Sequence, residues 1–77
     1  MTRMVLGIIG GGQLGSMLAS AAKKIDIKTI IISDDPSAPA QKFCDEFLYS
    51  NYDNEIILNK FVEKSDIITF EFENIPF

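Results

Sequence analysis

Gly10, Gly12 and Gly15 stand in the spacing G-x-G-x-x-G, within the run Gly10-Gly11-Gly12-Gln13-Leu14-Gly15. A loop of this kind works through its backbone. Gly10 can take a sharp turn, Gly12 lets a ligand approach the main chain, and Gly15 lets the next helix pack close to the preceding strand. The N–H groups at the helix start favour an anion or an electron-rich oxygen. The motif alone is weak, but here an apolar run precedes it and an amphipathic stretch follows. The plainer reading is that the glycines serve only the turn and the helix–strand packing. Asp34 lies nineteen residues after Gly15, roughly where a dinucleotide-binding domain keeps its ribose-binding acid. Asp34 and Asp35, followed by Pro36, also suit an ordinary turn.

The second chemical feature is Thr69-Phe70-Glu71-Phe72-Glu73-Asn74. With a strand's period of two, Glu71 and Glu73 leave on one face and Phe70 and Phe72 on the other. A carboxylate deep in a sheet covered on both sides is costly. At the carboxyl end of the strand it opens into the crevice above the sheet. The plainer reading of both glutamates is a solvated strand end. Cys44 is the single cysteine, and there is no histidine. That excludes a disulfide framework and any Cys/His metal site. No His or Lys motif accompanies Cys44, so it is expected to pack rather than react. One thiol in a chain with no sign of secretion suits the reducing cytoplasm.

The elements that must position these residues follow from the apolar pattern. Met4 to Ile9 reads as a buried strand stopped by glycines. From Gln13 the period changes: Leu14, Met17, Leu18, Ala21, Ala22 and Ile25 form one stripe of a helix, with Met17 in the core, and Lys23 and Lys24 meet the negative end of its dipole. Lys28 to Ser33 is a second strand, apolar on both faces as covered parallel strands are. A loop follows, then a short helix over Ala40 to Cys44 and an edge-like strand over Glu46 to Ser50. Asp53 or Asn54 can cap a helix running to Lys64, with Ile57, Leu58, Phe61 and Val62 inward. Asp66 to Phe72 is the fourth strand. Tyr49 and Tyr52 flank the edge strand, where a domain or homodimer contact and plain surface placement are both open.

This order predicts an α/β, Rossmann-like fold: three α/β/α layers with a parallel four-stranded sheet in the order 3-2-1-4. Residues 1–77 make a single small domain, which buries only ~60% of its unfolded surface. The net charge is −4, and Arg3 is the only arginine. Nucleic-acid binding depends on Lys and Arg against phosphates, so it is not expected. No run reaches the ~20 apolar residues of a membrane span. In the order 3-2-1-4 the switch point lies between strands 1 and 4, so the glycine loop and Glu71 share one crevice. A carboxylate ~6 Å from a phosphate costs ~2–3 kcal/mol at an effective dielectric of ~20. No Lys or Arg near either loop in sequence offsets that. Ribose hydroxyls or an amine therefore suit the crevice better than a pyrophosphate.

The run Gly7-Ile8-Ile9-Gly10-Gly11-Gly12-Gln13-Leu14-Gly15-Ser16-Met17-Leu18-Ala19 resembles the start of the N5-carboxyaminoimidazole ribonucleotide synthetase family, within the ATP-grasp superfamily. So do Asp35-Pro36 with Ala38-Pro39-Ala40, Cys44-Asp45-Glu46 and Asn51-Tyr52-Asp53, and the closing Ile67 to Pro76 run resembles that family's strand-4 signature. The resemblance implies an ATP-dependent ligase that carboxylates 5-aminoimidazole ribonucleotide with bicarbonate. It further implies a first domain that faces the ribonucleotide, while ATP and Mg2+ are held by ATP-grasp and carboxy-terminal domains absent from these 77 residues. By comparison with the related formate-dependent glycinamide ribonucleotide transformylase, it implies substrate contacts at Gly12, Gln13, Leu14 and Glu71. Gly10, Gly11, Gly15, Glu73 and Asp34 are weaker candidates. The family commonly has Arg where Ser16 stands and an acid where Ser33 stands. No catalytic residue, cofactor or metal site is expected in the chain itself, which reads as a fragment or isolated domain of something longer. Two other readings stay open: a dinucleotide-binding half-domain of an oxidoreductase, and a non-catalytic interaction domain prone to self-association.

Overall fold

The computed structural model describes residues 4–70 of the chain. Strands β1 (Val5–Ile9), β2 (Lys28–Ser33), β3 (Glu46–Tyr49) and β4 (Ile67–Phe70) form one sheet in the order β3-β2-β1-β4. Every pairing is parallel. Helix α1 (Gln13–Lys24) links β1 to β2, and helix α2 (Glu55–Lys64) links β3 to β4. The two crossovers run in opposite directions across the sheet. Right-handedness therefore sends their helices to opposite faces.

The core follows the pleat. Ile8 and Ile31 pack with Ala19 of α1 and with Ala40, while Ile30 and Ile32 pack around Phe61 of α2. β2 is buried on both faces from Thr29 to Ser33, which is why its sequence shows no polar alternation.

Helix α1 corrects the expected stripe. Its buried residues are Gly15, Ala19 and Ala22, with Leu18 half-buried, whereas Met17 is 60% exposed, Leu14 47% and Ile25 68%. Ala21 is exposed too. The helix turns its small residues to the sheet because they let it sit close. At that separation Leu14 and Met17 find no room at the centre of the contact, while Leu18 packs at its margin. In α2, Phe61 is buried and Ile57 and Leu58 are half-buried as expected, but Val62 is 53% exposed. Val62 stands ~100° round the helix from Phe61, and Phe61 takes the centre of the interface.

Of the two candidate caps for α2, Asn54 serves: its Oδ1 accepts the Ile57 N–H at 3.3 Å. The expected short helix at Ala40 to Cys44 is a 3-10 turn at Pro39–Lys42. It begins earlier because Pro39 is preset for a first helical position. Two aspartates unforeseen from sequence secure the amino ends of the edge strands. Asp66 accepts the Val5 N–H at 2.7 Å and returns its own N–H to the Val5 carbonyl at 2.8 Å. Asp45 does the same with Thr29, at 2.8 and 3.1 Å.

Thr29 is buried, and its Oγ1 has no hydrogen-bond partner. An unmade bond of a buried hydroxyl is a cost that an apolar isostere removes. Thr29→Val is expected to hold or raise stability, by up to ~1 kcal/mol, in urea unfolding. A clear loss would mean that the hydroxyl is satisfied in solution.

Candidate functional site

The carboxyl ends of three strands lie level. Ile9 pairs with Ile32 on one side and with Phe70 on the other. β1 connects to β2 through α1 on one face, and β4 is reached through α2 on the other. The β1–β4 boundary is thus the topological switch point, where open α/β sheets hold their ligands.

The glycine loop leaves β1 at this point. Gly10 has φ 114° and donates its N–H to the Ile32 carbonyl at 2.8 Å. A side chain at that φ would be strained, so Gly10 makes the turn as its place in the motif predicts. Gly11 is packed from the other side. A Cβ there would come within 2.6 Å of the Ala38 Cβ and 3.1 Å of the Ser33 side chain. The Gly11 carbonyl accepts the Ala40 N–H at 3.0 Å. Ala38 and Ala40 therefore buttress the loop, and sequence reasoning missed that role. The small-Pro-small run Ala38-Pro39-Ala40 carried the signal, a segment narrow enough to lie against a glycine.

Gly12 is the N-cap of α1, in extended conformation at φ −75° and ψ −162°, and as a glycine it brings no side chain of its own to cap the helix. No acid occupies the first turn of α1, and its lysines, Lys23 and Lys24, stand in the last turn. A helix of this length spans ~18 Å, so those charges are remote. Helix α2 is the contrast, because Asn54 and Glu55 satisfy its amino end locally. The start of α1 keeps its positive dipole end uncompensated by its own side chains. Gln13 and Leu14 lie exposed in this first turn, and Gly15 is buried against the sheet. The Ser16 hydroxyl donates to the Gln13 carbonyl at 2.8 Å.

Asp34 is exposed just past β2, and its N–H donates to the Tyr52 hydroxyl at 3.4 Å. Asp35 is a turn residue, accepting the Ser37 N–H at 2.9 Å and donating to Ser33 Oγ at 3.1 Å. Glu71 and Glu73 lie outside the described residues, with the rest of the closing motif. The structure thus brings together Gly10, Gly11, Gly12, Gln13 and Leu14, with Asp34 at the end of the adjoining strand. Cys44 is half-buried against the α1-side core. Burial pushes its thiol up, and Asp45 and Glu46 add to that. A thiol held protonated is a poor nucleophile, in keeping with packing. Among the described residues no three His, Cys, Asp or Glu gather where they could hold a metal ion.

The family description "Ribonucleotide synthetase preATP-grasp domain" matches residues 1–77. The chain belongs to this family. The preATP-grasp domain is 49% identical over 70 residues to the N5-carboxyaminoimidazole ribonucleotide synthase of Staphylococcus haemolyticus (strain JCSC1435), covering 91% of this chain and 19% of that protein. It superposes on N5-carboxyaminoimidazole synthetase from Staphylococcus aureus complexed with ADP with a TM-score of 0.87 at 40% identity, over 97% of this chain and 21% of that one. The synthetase from Thermotoga maritima gives 0.86 at 34%, over 95% and 20%. The preATP-grasp domain therefore spans about a fifth of the length of the relatives it matches. No helix among the described residues is long and apolar enough to cross a membrane.

Proposed function

We propose that this preATP-grasp domain is the substrate-side, amino-terminal part of an ATP-dependent ligase of de novo purine biosynthesis in the cytoplasm. The ligase carboxylates 5-aminoimidazole ribonucleotide with bicarbonate to N5-carboxyaminoimidazole ribonucleotide. The observation that carries this reading is the glycine-led start of α1, with no acid in its first turn, held behind the Gly10 turn at the β1–β4 switch point. Gly12, Gln13 and Leu14 form one wall of the ribonucleotide pocket, and Glu71 the other. Gly10, Gly11 and Gly15 shape the loop, and Asp34 and Glu73 are outer contacts. The wall offers backbone N–H groups and no cation, which suits ribose hydroxyls and an amine better than a pyrophosphate.

ATP and Mg2+ belong to the other domains of such a ligase. The described residues do not fit them, since no lysine or arginine stands in the glycine loop and no metal-holding cluster exists among those residues. The 77-residue chain by itself is expected to be inactive.

The test uses the ligase in which this domain is joined to ATP-grasp domains. Glu71→Ala is expected to raise KM for the ribonucleotide tenfold or more, ~1.4 kcal/mol, and to leave KM for ATP near its starting value. Unchanged ribonucleotide affinity would remove Glu71 from the site. Calorimetry of the 77-residue chain with NAD is expected to show no binding at millimolar ligand. Heat of binding there would turn the reading toward an oxidoreductase half-domain.

A further inference from the structure

β2 reads Lys28-Thr29-Ile30-Ile31-Ile32-Ser33, three isoleucines closed by a serine. Ser33 is buried like them. A hydroxyl taken out of water is costly unless it is bonded, and this one accepts the Asp35 N–H at 3.1 Å. By the alternation of the strand, its side chain shares the α1 face with Ile31. The main chain there is fixed as well, because the Ser33 carbonyl accepts the Ser50 N–H at 3.0 Å. A polar side chain is thus held firmly at the end of the strand beside the glycine loop.

Two successive residues of β2 meet two successive glycines. The Ile32 carbonyl takes the Gly10 N–H at 2.8 Å. Ser33 meets Gly11 through its side chain. Its Cβ and Oγ both lie 3.1 Å from where a Gly11 Cβ would stand, and the Ala38 Cβ closes in to 2.6 Å of the same point. The hydroxyl also anchors the segment that bears Ala38. Asp35, tied to Ser33, accepts the Ala38 N–H on its carbonyl at 3.2 Å and the Ser37 N–H on its carboxylate at 2.9 Å. The Ala40 N–H then returns to the Gly11 carbonyl at 3.0 Å. Gly11 therefore has Ser33 on one side and, on the other, a segment that Ser33 pins. A fourth isoleucine at this position would need room where Gly11 stands. An alanine would fit, but it would release the segment.

We infer, on the basis of the function proposed above, that Ser33 is a positioning residue for the ribonucleotide wall. Its hydroxyl seats Gly11, and Gly11 leads directly into Gly12, Gln13 and Leu14. The seat so fixes where those three residues present their backbone to the substrate. Ser33 itself is buried and acts only through the loop.

The test uses the full ligase. Ser33→Ala is expected to raise KM for the ribonucleotide ~5-fold or more, since small misplacements of a binding group are costly. The values of kcat and of KM for ATP are expected to stay within about twofold, the pattern of lost binding rather than lost chemistry. Amide exchange, measured without substrate, is expected to quicken at Gly10 to Leu14 and at Ser37 to Ala40, with Glu55 to Lys64 unchanged. A fall in kcat with KM for the ribonucleotide unchanged would mean that Ser33 only holds the fold, and would overturn the proposal. Exchange that quickens everywhere alike would overturn it as well. Should Ser33→Ala fail to fold, Ala38→Gly removes the opposing methyl group and is expected to raise the same KM; an unchanged KM in that variant counts against the seat. The unaltered ligase is assayed first. If it consumes ATP equally well without the ribonucleotide, the proposed function fails and the role of Ser33 with it. If it requires the ribonucleotide and the Ser33→Ala values match its own, only the role of Ser33 fails.

Discussion

Phe61→Ala is expected to remove most of the stability of this domain and to leave a population unfolded at room temperature. Phe61 is the only fully buried aromatic side chain among the described residues, and Ile30 and Ile32 pack directly around it. Truncating a buried Phe to Ala costs ~3–5 kcal/mol, combining the lost transfer term with the cavity left behind. A chain of this length has ~4–12 kcal/mol in all at ~0.05–0.15 kcal/mol per residue, and a small core places it toward the low end. Urea unfolding reads the effect directly. With a slope near ~1 kcal/mol/M, the midpoint should fall by ~3 M or the transition should vanish. A midpoint within 1 M of the starting value would show that the α2 face of the sheet contributes little to the core.

Gly7→Ala is the second large effect, and it comes from the same contact seen from the sheet. Gly7 sits in the middle of β1, paired with Ile30 and Ile68. A Cβ on it would stand 2.8 Å from Phe61 Cζ and 2.8 Å from Ser65 Cβ, and would collide with Ser65 Oγ. Ser65 cannot swing away freely, because its hydroxyl donates to the Phe61 carbonyl at 2.7 Å. Glycine in a strand interior marks close approach of another element, and here α2 rests on bare backbone. Overpacking of this kind costs ~1–3 kcal/mol, against a small gain in strand propensity. Gly7→Ala should lower the urea midpoint by ~1–3 M at that slope. In a Phe61→Leu, Ser65→Gly background the same substitution should cost markedly less, because partners in contact are coupled. Equal costs in both backgrounds would place the strain elsewhere.

Gly7 shows where sequence reading stops. In the sequence it is only a break in an apolar run. Its purpose depends on Phe61 and Ser65, more than fifty positions away, which nothing local announces. Gly11 is similar, since its constraint is the Ala38 methyl group. Gly10 is different. Its positive φ belongs to the turn itself, and the motif foretells it. The strand order was also legible, because short links and right-handed crossovers leave few arrangements of β-α-β units. The exposed Met17 was not. The helix carries two apolar stripes that share Leu18 and Ala22, a large-residue stripe through Leu14 and Met17 and a small-residue one through Gly15 and Ala19. Hydrophobicity alone favours the first.

The sequence by itself determined the element order, the parallel sheet, the glycine turn and the family to which the chain belongs. Each rests on local chemistry: apolar period, glycine where the backbone must turn, and short connections. Tertiary structure alone decided which stripe of α1 faces the sheet and which segment buttresses Gly11. Those outcomes depend on how closely two layers can approach. That distance is set by pairs of residues far apart in the chain, and no window along it contains both members.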